Sequence, residues 1–185
     1  MGVDKTAQDK ELLAMSEISL ILDGYDDIFS DFDPRPYSQK SLSQDFLEEA
    51  KRASKDKAEG LELQLMVPKK ARDISLEENI KKRLRDHFKR HHDMLHNEIK
   101  NFRNHGFVFL LAGIAMMTLA YFFSVDGGLL APNMLNNLLF IILEPAGWFT
   151  AYTGLERIFN IPAQKTEEAG FYGKMASSHI TFKGY

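Results

Sequence analysis

The sequence predicts an α/β domain of βαβα order with an added C-terminal strand, joined to a two-helix transmembrane hairpin. Three observations predict this fold. Residues 106–155 carry only two charged side chains, Asp126 and Glu144, although the rest of the chain is strongly polar. Short segments near both ends have the alternating pattern of strands. Between them, apolar residues recur at helical spacing, which predicts amphipathic helices.

The polar part begins with a segment, residues 1–16, that we expect to be flexible. The α/β domain is predicted over residues 17–105, with strands at 17–22 and 61–67 because these segments are rich in aliphatic residues or alternate apolar with polar ones. Between the strands, Ser41 and Gln44 match a capping box, which predicts the start of a helix. Its apolar face consists of Leu42, Phe46, Ala50 and Ala53.

A second capping box, Ser75 with Glu78, predicts the start of a longer helix that runs towards the first span. Its apolar face comprises Leu76, Ile80, Leu84, Phe88, Leu95, Ile99 and Phe102. Two parallel strands bury too little surface to be stable by themselves. The tail, residues 156–185, contains an alternating segment, and we therefore predict that a strand at 178–183 joins the N-terminal sheet.

The hairpin is predicted at 106–124 and 134–155. Its first run, 106–123, is uncharged and would form a helix about 27 Å long, close to the thickness of a hydrocarbon core. Residues 79–105 carry eight Lys or Arg and three Asp or Glu, a net of +5, while residues 124–133 contain no Lys or Arg. The positive-inside rule therefore places both termini in the cytoplasm.

The second span contains features that a plain anchor lacks. Glu144 is an ionisable residue within an apolar helix and Pro145 removes a helix hydrogen bond, so this pair predicts an intramembrane site for oligomer contact or for an ion. Small residues predict close helix packing, either within the hairpin or between copies: Ala146, Gly147, Ala151 and Gly154.

Other polar clusters are candidates for binding. Basic residues before the first span predict contact with anionic lipid headgroups: Lys81, Lys82, Arg85, Lys89, Arg90, Lys100 and Arg103. Histidines one turn apart form candidate metal-ligand pairs: His87 with His91, and His92 with His96. An acidic loop, with Asp26, Asp27, Asp31 and Asp33, does not fit the EF-hand spacing and is predicted to meet a basic neighbour, such as the basic helix of another copy.

Several segments resemble a family of uncharacterised bacterial proteins with two transmembrane helices. Residues 28–37 (IFSDFDPRPY) are similar to its "LFNSFDPSPF" element, and residues 61–68 occupy the place of its next strand. The second span resembles the family's glutamate- and tryptophan-containing span in EPAGWF (144–149) and LERIF (155–159), with Pro145 in place of a glycine. The resemblance implies the topology and no activity.

The sequence contains no cysteine, no glycine-rich phosphate loop and no catalytic triad pattern, so we expect no enzymatic activity and no cofactor. A nucleic-acid partner is not expected. We predict a bacterial inner-membrane protein that binds lipid and self-assembles into a homo-oligomeric, ring-like scaffold. Residues 1–60 carry a net charge of −6, from eight basic and fourteen acidic residues, which would complement the basic helix of another copy. The alternatives are a small ion or proton channel using Glu144, and an accessory subunit or sensor.

Overall fold

The computed structural model describes residues 17–55, 57, 61–123 and 134–185, so the predicted flexible segment 1–16 and the loop 124–133 lie outside the described residues. The chain divides into an α/β unit, Met1–Asp93 with Ala169–Tyr185, and a helical unit, Met94–Glu168. In chain order the elements are β1 (Glu17–Ile21), α1 (Gln44–Ser54), β2 (Glu62–Val67), α2 (Ile74–Phe122), α3 (Met134–Ser177) and β3 (His179–Gly184).

The sheet of the α/β unit has three parallel strands in the order β1-β2-β3. The strand predicted at 178–183 is therefore present as β3 and lies beside β2. Its register aligns the alternating apolar residues on one face, because side chains along a strand point to opposite faces in turn. The two aligned rows are Ile18, Leu63 and Ile180, and Leu20, Leu65 and Phe182.

Helices cover this apolar face and form the core of the unit. Phe46 and Ala50 of α1 are buried there, as predicted from their helical spacing. The first part of α2 contributes Ile80, Leu84 and Phe88, which are all fully buried. The last turns of α3 add Phe171 and Met175. Elements from both ends of the chain thus share one hydrophobic core.

Neither predicted capping box starts its helix. Helix α1 begins one residue after Ser43, while the Ser41 hydroxyl accepts a hydrogen bond from Arg35 at 3.3 Å. At α2, the Asp73 carboxylate accepts hydrogen bonds from the backbone N–H groups of Ser75 and Leu76 at 2.9 and 3.2 Å. Aspartate is as good an N-cap as serine, and its negative charge also favours a helix N-terminus.

A half-buried ion pair lies beside that cap. Arg72 donates two hydrogen bonds of 2.8 Å to the carboxylate of Glu77, which lowers the pKa of Glu77. The Tyr25 hydroxyl donates to the same carboxylate at 3.0 Å and accepts the Asp73 N–H at 2.9 Å. The start of α2 is thereby fixed to the loop that follows β1.

The two long helices contain the predicted spans but extend beyond them. The first span lies within α2 and the second within α3. Helix α3 continues to Ser177, through residues 156–177, which the sequence predicts to be part of a tail. That extension is helical because its apolar residues recur at helical spacing: the buried Ile158 and Ala169 are eleven positions apart, and the buried Phe171 and Met175 are four apart. Both helices are long and apolar enough to cross a membrane.

Shortening Phe182 to alanine should destabilise the α/β unit by about 3–5 kcal/mol, because the ring is buried and packs edge-to-face on Tyr25 at 5.8 Å. Hydrogen exchange of the β2 amides, measured by mass spectrometry, should then be faster. Lys183→Ala, at the next and exposed position of β3, is the control. Equal protection of β2 in the two variants would contradict this account of the core.

Candidate functional site

The helical unit has a close-packed seam of small residues between α2 and α3. A Cβ atom added to Gly113 would lie 2.7 Å from the Gly147 carbonyl oxygen and 2.8 Å from the Ala151 Cα, so no side chain fits there. About two turns away, a Cβ on Gly154 would lie 2.8 Å from the Gly106 carbonyl oxygen. Glycine at these positions lets the two backbones approach closely.

This seam answers the question that the sequence left open, because the small residues of α3 pack within the hairpin. Gly147, Ala151 and Gly154 are buried, while Ala146 lies beside the seam and is only partly buried. The matching glycines of α2, Gly106 and Gly113, were not identified from the sequence. Their spacing of seven residues, equal to that between Gly147 and Gly154, is a signal that would have found them.

Glu144 lies two turns before Ala151, at the edge of the seam, and is exposed. With Pro145, Trp148, Phe149 and Tyr152 it lines a shallow groove of about 490 Å³, which we call the Glu144 groove. The three aromatic side chains are 53–75% exposed, so none of them is used to pack the hairpin. The groove follows from helical spacing, since residues four and eight positions apart share one face.

The contact of Gly147 with α2 gives the level of Glu144 along the hairpin. A Cβ on Gly147 would lie 3.0 Å from the backbone nitrogen of Met117, so these two residues are level with each other. Glu144 precedes Gly147 by about one turn and is therefore level with the last turn of α2, which ends at Phe122. It lies about 8 Å along the helix axis from the middle of the uncharged stretch of α2.

The seven basic residues predicted to contact lipid do not form one group. Five of them belong to the α/β unit, and Lys81 of these is paired with Glu78 at 2.8 Å. Only Lys100 and Arg103 belong to the helical unit, within two turns of Gly106. They line a second groove, of about 320 Å³, with four other residues of α2: His96, Ile99, Asn104 and Phe107.

The predicted metal pairs are engaged in packing. The rings of His87 and His91 stack with centroids 4.0 Å apart, and His91 stacks in turn on Tyr172 at 5.1 Å. The His92 Nδ1 lies 3.1 Å from the Ala169 carbonyl oxygen. Among the residues that the structure describes, no group of three His, Asp or Glu side chains is arranged to hold a metal ion. Stacked rings aim their nitrogen lone pairs in nearly parallel directions, which does not suit chelation.

The acidic loop uses most of its carboxylates to hold itself together. Asp27 accepts the backbone N–H of Asp23 at 2.7 Å. Asp26 accepts the Tyr37 hydroxyl at 2.9 Å. Asp33 accepts hydrogen bonds from Arg35 and from the Ser41 N–H, which hold the pKa of Asp33 well below its usual range.

The remaining acid of that loop, Asp31, is exposed, and the structure gives it no ion-pair partner within the described ranges. The neighbouring Phe32 side chain is 98% exposed, which its sequence context did not predict. The loop is thus a braced turn with one charged and one apolar side chain at its tip. It offers little of the negative surface that the sequence predicted for contact with another copy.

No protein-family model, curated protein or solved structure matches the chain. The resemblance to the two-helix membrane family therefore stays a prediction that rests on the quoted motifs.

Replacing Gly113 with valine should separate the hairpin helices, because the added atoms would overlap the backbone of α3. Spin labels on cysteines introduced at the exposed positions Val108 and Leu155 would report this as a longer and broader distance distribution. Ala112→Val, at the adjacent exposed position, should leave the distance unchanged. An unaltered distribution in Gly113→Val would disprove the seam.

Acid should weaken the α/β unit through His87. Burial, reinforced by the neighbouring His91 and Arg83, lowers the pKa of His87 to about 4, below the usual value of about 6.5. Between these values the unfolded chain binds the proton more readily, so the stabilisation is complete above pH about 6.5 and falls as pH drops towards 4. The expected loss is on the order of 1–3 kcal/mol.

His87→Phe, which keeps an aromatic ring against His91 and Tyr172, should reduce this loss when urea unfolding is followed from pH 7 to pH 4. His179→Gln, at an exposed position of β3, should retain the loss. The same pH dependence in wild type and His87→Phe would rule out His87 as its source.

Proposed function

We propose that the chain is a non-enzymatic integral protein of the bacterial inner membrane that self-associates through the Glu144 groove and serves as a membrane scaffold. The observation that carries the proposal is the placement of the only acidic residue of α3 that lies within the predicted span. Glu144 is exposed and lines the aromatic groove, while the small-residue seam is already occupied within the hairpin.

Membrane insertion is supported by where the large apolar side chains lie. In each helix, only 17% of the most apolar 18-residue window is buried. A helix in the core of a soluble protein would bury most of such a window, whereas here small residues lie inside and large ones outside. The outward residues include Phe107, Leu111, Ile114, Leu119, Leu138, Ile141, Ile142 and Phe159. A surface of this kind is stable against lipid and would aggregate in water.

The orientation proposed for the hairpin has both termini in the cytoplasm. Lys100 and Arg103 precede the uncharged stretch of α2, and Arg157 and Lys165 follow that of α3. Arg157 lies 4.6 Å from the centre of the Phe109 ring, and Lys165 forms an ion pair with Glu98. Cations thus gather at one end of the hairpin, as the positive-inside rule requires of the cytoplasmic side.

Self-association follows from the chemistry of a carboxyl group in lipid. A carboxyl group without a hydrogen-bond partner is costly inside the hydrocarbon core, so we expect Glu144 to meet a polar group of a partner there. A protonated carboxyl group both donates and accepts a hydrogen bond, and two of them related by a two-fold axis satisfy each other. Trp148 and Tyr152, on the same face, would then pack around the pair. We therefore favour a symmetric dimer as the first unit of assembly.

Glu144→Leu should weaken dimer formation by about 1–2 kcal/mol, roughly 5- to 30-fold in the dissociation constant, because it removes the hydrogen bonds but keeps the face apolar. Glu144→Gln, which also donates and accepts, should retain most of the affinity. Mass photometry in nanodiscs of defined lipid would measure the dimer fraction against protein density.

The matched control is Thr118→Leu, which makes a polar-to-leucine change on the outer face of α2. It should dimerise like the wild type. A monomeric wild type, or a Glu144→Leu variant that dimerises as tightly as the wild type, would refute self-association through this groove. Proton flux that requires Glu144 would instead favour a conducting role.

A further inference from the structure

The second groove of the helical unit has the composition of a phosphate site beside an apolar track. It is lined by His96, Ile99, Lys100, Arg103, Asn104 and Phe107 and encloses about 320 Å³. These residues share one side of α2, because each of them except the last is followed by another of the set three or four positions further along the helix. The cationic side chains, those of Lys100 and Arg103, are exposed.

The positive charge of this groove is not neutralised by the hairpin. Across residues 17–55, 57, 61–123 and 134–185, no acidic side chain lies within 4.0 Å of the charged groups of Lys100 or Arg103. The nearest acid in sequence, Glu98, forms its ion pair with Lys165 of α3. Two cations therefore remain available to an external anion.

The residue types fit a phosphate group in particular. The guanidinium of Arg103 can donate two parallel hydrogen bonds to phosphate oxygens, and Lys100 adds a point charge. The side-chain amide of Asn104 supplies a further neutral donor. Phe107, which is 51% exposed, begins the apolar stretch just below these donors, and Leu111 and Ile114 continue the same face.

We propose that this groove binds one anionic phospholipid, with its phosphate held by Lys100, Arg103 and Asn104 and an acyl chain lying along Phe107, Leu111 and Ile114. This rests on the proposed insertion of the hairpin, which brings the end of the uncharged stretch to the depth of the headgroups. The order of the residues along α2, cations and amide first and aromatic and aliphatic side chains next, matches the order of groups in a phospholipid. A free phosphate would contact only Lys100, Arg103 and Asn104 and would leave the apolar part of the site unused.

The test is retention of phosphatidylglycerol by the full chain, measured by native mass spectrometry from detergent micelles against phosphatidylcholine as the zwitterionic reference. The wild type should retain phosphatidylglycerol preferentially. The double variant Lys100→Gln/Arg103→Gln should bind it roughly 10- to 30-fold more weakly, because each cation contributes up to about fivefold at a membrane surface.

The matched control removes the same charge elsewhere in the chain, as Lys51→Gln/Arg52→Gln, two exposed residues of α1 that belong to the α/β unit. It should bind phosphatidylglycerol like the wild type. An equal loss in both double variants would overturn the proposal in favour of a general effect of net charge. Phe107→Ser should weaken lipid retention as well, and an unchanged retention would overturn the assignment of the acyl track.

Two further measurements distinguish lipid binding from the binding of a soluble phosphate compound, and failure of this proposal from failure of the proposed function. Millimolar inorganic phosphate should not displace the lipid, and displacement would reassign the groove to a soluble phosphate compound. Flotation with phosphatidylcholine vesicles tests insertion independently of the groove. If the chain inserts and remains monomeric, self-association fails while lipid retention by Lys100 and Arg103 can still succeed.

Discussion

The contact between the two helix backbones at Gly113 and Gly147 decides how the rest of the helical unit is arranged. No side chain fits between these residues. The two helices can therefore approach this closely only when each is rotated so that its glycine faces the other helix. Once the small residues face inward, Trp148 and Tyr152 lie on the exposed side of α3, and Lys100 and Phe107 lie on the exposed side of α2. Both proposed binding surfaces are therefore consequences of one packing contact.

Much of this organisation could be predicted from the sequence because its signals are local. The alternation of residues 61–67 and 178–183, the helical spacing of Phe46 and Ala50, and the uncharged run at 106–123 each depend on neighbouring residues alone. The sequence predicts the cap of α2 at Ser75, whereas the structure has it at Asp73, two residues earlier. Both residues are suitable N-caps, and only the geometry of the chain before them selects between them.

The candidate sites were less predictable because they depend on which residues of different helices meet. Gly106 and Gly113 are unremarkable in a membrane span until Gly147 and Gly154 are placed opposite them. The histidine pairs satisfied the spacing of a metal site, but stacking of His87, His91 and Tyr172 requires α3 to return beside α2, which the spacing does not reveal. The acidic loop likewise looked available for a partner, although Asp26, Asp27 and Asp33 bind within it.

The position of β3 has a consequence for the order in which the protein can be made. Since β3 lies beside β2 and carries Ile180 and Phe182 into the core, the sheet is completed only by a strand that is synthesised after both long helices. In a chain that inserts as proposed, both spans are synthesised before β3 and enter the bilayer first. Until then, β1 and β2 lack the strand that completes their sheet and part of the core that covers their apolar face. Membrane insertion therefore precedes the final folding step of the α/β unit.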